Sequence, residues 1–132
     1  MDGNNRHWFK KIAGSGITHV AFAFFFMGGW AAFANLNHPM PAPLFAGMVQ
    51  GVISASFTLI MKRGIEYLTA ALSGLASLLI PPALAVLISA VCLSLIHWTA
   101  GTPEILATIA LPLTVATVYS VTYTFTQWKA NK

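Results

Sequence analysis

Charged residues are absent from three long runs, 12–61, 67–103 and 105–128, and small groups of Lys, Arg and Glu separate them. A bilayer's hydrocarbon core is about 30 Å thick, and a helix needs about 20 apolar residues to cross it. Runs of this length therefore predict an all-α integral membrane protein. Composition agrees, since 57% of the 132 residues are hydrophobic and only 8% are charged. A soluble domain carries about 25% charged residues. A water-facing surface is thereby excluded, and the length fits one transmembrane domain over 1–132.

The basic residues set the expected topology. Arg6, Lys10 and Lys11 precede the first crossing, Lys62 and Arg63 follow the second, and Lys129 and Lys132 follow the last. The connections 35–43 and 99–104 carry neither Lys nor Arg. Cytoplasmic loops are the Lys- and Arg-rich ones, so four crossings are expected, with both termini cytoplasmic. In a soluble protein a net charge of +4 would point to nucleic acid. Here it reports orientation and contact with anionic lipid, and no nucleic-acid partner is expected. Lys10-Lys11, a hydrophobic run and Ala32-Phe33-Ala34 imitate a signal peptide. The segment is read instead as a retained first transmembrane helix.

Helix 1 is predicted at about 13–35 and helix 2 at about 43–62, divided by a turn holding Pro39, Pro41 and Pro43. Helix 4 is predicted at about 103–127, with Pro103 in its first turn and Thr102 as its cap. As one straight helix, 66–98 would span about 50 Å, too long for a single crossing. Pro81-Pro82 is the expected division. It separates an embedded or interfacial stretch at 65–80 from a crossing at 82–99, a Pro-kinked third segment. In that stretch Leu68, Leu72, Leu75 and Leu79 form one face, and Thr69, Ser73 and Ser77 another. The chain thus reads as two helical hairpins in parallel orientation. A displacement of 60 residues superposes Gly14 on Gly74 and Pro43 on Pro103.

Helix 2 carries the clearest pattern. Gly47, Gly51 and Ala55 recur every four residues, a spacing that lets membrane helices approach closely. The row fits packing within the chain, a homo-oligomer or a membrane partner protein. Beside it Gln50, Ser54 and Thr58 form a polar row ending at Lys62 and Arg63. Polar groups in hydrocarbon are costly unless paired or hydrated, so this side faces either protein or a substrate path. On helix 4, Thr117, Ser120 and Thr124 share a face that could meet that row and complete a groove. His19 lies near the cytoplasmic end of helix 1, a candidate headgroup-binding or proton-linked residue. Its depth differs from that of His97 at the outer end of helix 3, so one metal or haem cannot use both. The stripe Phe22, Phe26, Trp30 and Phe33 reads as lipid-facing or packing surface. Glu66 is expected to pair with Lys62 and Arg63, and Glu104 to sit at the start of helix 4. Cys92 stands alone, which rules out an intrachain disulfide. No nucleophile–base pair, metal motif or phosphate loop appears. Neither an enzyme nor a cofactor or metal is expected.

The plan resembles the GtrA-like family of small four-helix bacterial membrane proteins. Its points of contact are Phe9-Lys10-Lys11 followed by Gly14 and Gly16, the proline turn before helix 2 and Lys62-Arg63 closing it. Thr102-Pro103 opening helix 4 and Trp128-Lys129 closing it are similar as well. The family often ends its second helix with an asparagine, a basic residue and aromatics. This chain has Thr58-Leu59-Ile60-Met61-Lys62-Arg63 there instead. The resemblance implies the bacterial inner membrane and the translocation or handling of a polyprenyl-phosphate-linked sugar or similar amphipathic lipid. Lys10, Lys11, Lys62 and Arg63 would meet the phosphate, and Gln50, Ser54 and Thr58 the sugar. Two other classes fit the residues: a non-catalytic accessory subunit of a larger membrane complex, and a small multidrug-type exporter. Against the exporter stands the lack of a carboxylate predicted at mid-membrane.

Overall fold

The structure, a computed structural model, describes residues 16–132. Four helices account for nearly all of them: α1 (Gly16–Ala34), α2 (Ala42–Ala71), α3 (Ala76–Thr99) and α4 (Ile105–Ala130). Each is long and apolar enough to cross a membrane. The expected start of helix 1 and its fence of Arg6, Lys10 and Lys11 lie outside the described residues.

The helices form a ring in which each packs against its neighbours in sequence and α1 closes on α4. Across the centre α2 also touches α4, whereas α1 and α3 do not meet among the described residues. Burial follows the logic of a lipid solvent. The buried side chains include Asn35, Gln50, Ser89, His97, Thr108 and Ser120, while Phe25, Leu59, Leu87, Leu106 and many other large apolar residues stand exposed. Monomers in water do not display such a surface. One buried apolar cluster, Ile53, Leu93 and Ile109, joins α2, α3 and α4, and Met27, Ala31, Ala46 and Ile65 are buried as well. The chain has the architecture of a multi-pass membrane protein.

Small residues create the closest seam. A Cβ on Gly28 would stand 2.7 Å from the Gly47 carbonyl oxygen, and one on Gly47 would stand 2.9 Å from that of Gly28. At Gly51 a Cβ would meet the Phe24 ring at 3.0 Å. The Gly47/Gly51 row is therefore spent on α1 within the chain. Both glycines are buried in that seam, the packing within the chain that the row allowed, and Ala55 beside them is half-buried.

The third segment also differs from expectation. Residues 65–71 continue α2 rather than forming a separate stretch, and the chain breaks at Leu72–Leu75. Leu72 leaves the helix with ψ 161°, and Gly74 takes φ +61°, a left-handed conformation natural to glycine. Pro81 and Pro82 lie inside α3. Their missing N–H groups would have bonded the carbonyls of Ser77 and Leu78, in the first turn of that helix. The turn from α3 to α4 is a Schellman closure. Gly101, at φ +70°, donates its N–H to the Trp98 carbonyl, and Thr102 donates to that of His97.

Candidate functional site

Polar side chains collect at the two ends of the bundle in different ways. At the end holding the turns 35–41 and 100–104, they close on one another. His97 is fully buried; its Nε2 lies 2.7 Å from Gln50 Oε1 and its Nδ1 lies 2.8 Å from Thr102 Oγ1. Gln50 Nε2 then donates to Ser54 Oγ at 2.8 Å. The set fits a neutral imidazole with its proton on Nε2, Thr102 donating to Nδ1. The Schellman turn supports this, because it sets Thr102 one turn's reach from the ring. Beside it, buried Asn35 donates to the Ala31 carbonyl and to Thr108 Oγ1, both at 2.8 Å. Asn35 Oδ1 accepts the Glu104 backbone N–H at 3.0 Å, and Thr108 Oγ1 donates to the Glu104 carbonyl. More exposed, His38 Nε2 meets Glu104 Oε1 at 2.9 Å across the two turns. Trp30 Nε1 donates to the Ala107 carbonyl at 3.0 Å, tying α1 to α4 again.

This cluster clamps all four helices at one end. Buried amides and imidazoles that pair fully hold a unique arrangement, since any partner left alone costs about 1–3 kcal/mol.

The opposite end is open. There the break at 72–75, the end of α2, the start of α3 and the end of α4 surround a cleft of about 530 Å³, within the usual size of small-ligand sites. Thr69, Ser73, Ser77, Trp128, Asn131 and Lys132 line it. Lys132 Nζ sits 3.6 Å from the centre of the Trp128 ring, a cation–π contact. The Lys129 ammonium lies over Phe125 at 4.7 Å. Thr69 and Ser77 are buried and donate to the Ile65 and Gly74 carbonyls. The Thr69/Ser73/Ser77 face, expected at a membrane interface, thus borders the cleft together with Leu72 and Leu75 of the other face, while Leu79 is exposed.

The sequence-predicted residues divide between these regions. Gln50 and Ser54 belong to the clamp. Thr58 and Thr117 are half-buried and bond the carbonyls of Ser54 and Leu113 on their own helices. Ser120 is buried and bonds the Thr117 carbonyl. Thr124 is buried, with no partner for its Oγ1 among the described residues. No hydrogen bond among the described residues joins the α2 row to the α4 row. His19, Lys62 and Arg63 are exposed. Glu66 accepts from Tyr123 Oη at 2.6 Å. The expected pairing with Lys62 and Arg63 is corrected, because the carboxylate is drawn across the seam to α4. Phe22, Phe26 and Phe33 are exposed, as a lipid-facing stripe would be.

Sequence reasoning missed Asn35, Thr102 and Thr108 in the clamp and the cleft as a whole. An amide or imidazole in an apolar helix must find a partner. Asn35, Gln50 and His97, each at the same end of its helix, carried that signal for the clamp. Among the described residues no three His, Cys, Asp or Glu side chains come together to hold a metal ion. No protein-family model, curated protein or solved structure matches this chain.

Proposed function

We propose that this protein holds the headgroup of an anionic amphipathic lipid, of the polyprenyl-phosphate-linked sugar class, in the cleft between α2, α3 and α4. The observation that carries this reading is the cleft itself, lined by hydroxyls, an amide and the apolar Leu72 and Leu75, and bordered by Trp128 and Lys132. Depth supports it. At 1.5 Å per residue, the 30 residues of α2 extend about 45 Å, roughly 15 Å more than the hydrocarbon layer. The excess beyond Lys62 and Arg63 would lie at headgroup level, with the cleft beside it. Lys62, Arg63, Lys129 and Lys132 cluster at that end, which the positive-inside rule assigns to the cytoplasm of a bacterial inner membrane. The GtrA-like resemblance points to the same ligand class.

The closed clamp favours holding or presenting such a lipid over passing its sugar along the bundle interior. It also favours a second reading, an accessory subunit of a larger membrane complex, whose polar interior serves only to hold its shape. Equilibrium binding of a short-chain polyprenyl phosphate to the protein in neutral nanodiscs tests the first reading. Trp128→Leu with Lys132→Gln is expected to weaken binding about tenfold, equivalent to about 1.4 kcal/mol. Equal binding by this variant argues against the cleft. Recovery of one stoichiometric membrane partner with no specific lipid favours the accessory role.

A further inference from the structure

Glu66 is the carboxylate that no part of the lipid reading uses. On a helix, residues three and four apart are neighbours, so Lys62 and Arg63 are its nearest basic residues in sequence. Yet among the described residues the only carboxylate in contact with a basic group is Glu104, with His38. Lys before Glu at this spacing is the weaker orientation, and both basic side chains are exposed. Glu66 turns instead toward α4, where a neutral donor, Tyr123 Oη, holds one oxygen at 2.6 Å. The Glu66 carboxyl group is thus anchored between α2 and α4 by a neutral donor.

Aromatic surface surrounds it. Tyr119 stacks on Tyr123 with ring centroids 5.3 Å apart and planes 11° from parallel. Tyr119 is 37% exposed, and Tyr67, adjacent to Glu66 in the chain, is 73% exposed. Both rings thus keep exposed surface among the described residues. One anchored carboxylate beside stacked phenol rings suits a specific ligand chemistry. A hard metal ion needs about six oxygen ligands, and no three His, Cys, Asp or Glu side chains gather here among the described residues. An organic ammonium needs a single counter-charge and aromatic faces, which attract it through the ring quadrupole.

We propose that Glu66, with Tyr119 and Tyr123, binds the cationic head of an amphipathic ammonium compound at the α2–α4 contact. The site is independent of the anionic-lipid reading, since it has opposite charge preference and shares no lining residue with the cleft.

Two probes of equal shape and opposite charge test it: tetraphenylphosphonium and tetraphenylborate, bound to the full-length protein in neutral nanodiscs, with empty nanodiscs as the partition reference. Saturable binding of the cation above the reference is expected, with none for the anion. Glu66→Gln is expected to lower cation affinity about tenfold and Tyr119→Leu about threefold, both with unchanged helical circular dichroism. If Glu66→Gln does not fold, Tyr119→Leu and Glu66→Asp carry the test, the latter retaining the cation preference. Cation binding no greater than in empty nanodiscs, or equal in the wild type and a folded variant lacking the charge or the ring, overturns the proposal. Neither outcome alters polyprenyl phosphate binding at Lys132 and Trp128, so the two readings fail separately.

Discussion

Replacing Gly28 by alanine tests the tightest seam in the molecule. The added Cβ would stand 2.7 Å from the Gly47 carbonyl oxygen and 3.4 Å from Gly51 Cα. Both are backbone atoms, so no side chain can swing away. Real Cβ contacts essentially never fall below 3.0 Å, which requires α1 and α2 to part by about 0.3 Å or more at this point. Overpacking of this kind costs about 1–3 kcal/mol. The separation also weakens dispersion contacts along the seam, where a gap of 0.5–1 Å forfeits about a quarter to a half of each. Gly29 supplies the control, since nothing lies within 4 Å of a Cβ placed there. Alanine at Gly29 gains helix propensity, up to about 1 kcal/mol. Equilibrium unfolding in mixed micelles should therefore show Gly28→Ala destabilised by about 1–3 kcal/mol and Gly29→Ala unchanged or slightly more stable. Equal effects of the two substitutions would refute the assigned packing of α1 on α2.

The clamp and the orphaned hydroxyl give two further expectations. In a double-mutant cycle of His97→Leu and Gln50→Leu, the coupling should reach about 0.6–1.7 kcal/mol, the range for hydrogen bonds between membrane helices. Coupling near zero would mean that the two side chains do not share a bond. Thr124→Val keeps the shape of a buried side chain whose Oγ1 has no partner among the described residues. It should raise thermal stability in detergent, by about 1 kcal/mol in equilibrium terms; a clear loss would show that the hydroxyl is bonded.

The four crossings were legible in the sequence because lipid imposes a length and a composition that few other contexts share. Two of the turns were legible too: prolines mark the connections 35–43 and 99–104, which carry neither Lys nor Arg. Gly47 and Gly51 announced a close approach but not its partner. That partner is α1, with Phe24 and Gly28, and its identity depends on how each helix is rotated. Gln50 and His97 posed the same difficulty, being 47 residues apart on helices that each display several polar faces. Helix 2 is expected to end near 62 and the third segment to divide at Pro81-Pro82, because proline carries the strongest intrinsic penalty in a helix. The structure breaks at Gly74 instead. Prolines near a helix start deprive only first-turn carbonyls of their partners, whereas an L-residue in a left-handed turn is strained. Glu66 was assigned to Lys62 and Arg63 by spacing alone. Spacing gives no information about a tyrosine hydroxyl on a neighbouring helix, and that contact decided the carboxylate's direction.

The central claim is that the open cleft at the Lys-rich end holds an anionic lipid. The most direct test is native mass spectrometry of gently extracted protein, recording the lipids that remain bound. The account predicts one retained anionic amphiphile of the polyprenyl phosphate type per chain, lost from the Trp128→Leu/Lys132→Gln variant and kept by Thr124→Val. Wild-type protein carrying only bulk phospholipid, or a retained lipid unaffected by the Trp128 and Lys132 substitutions, would contradict it.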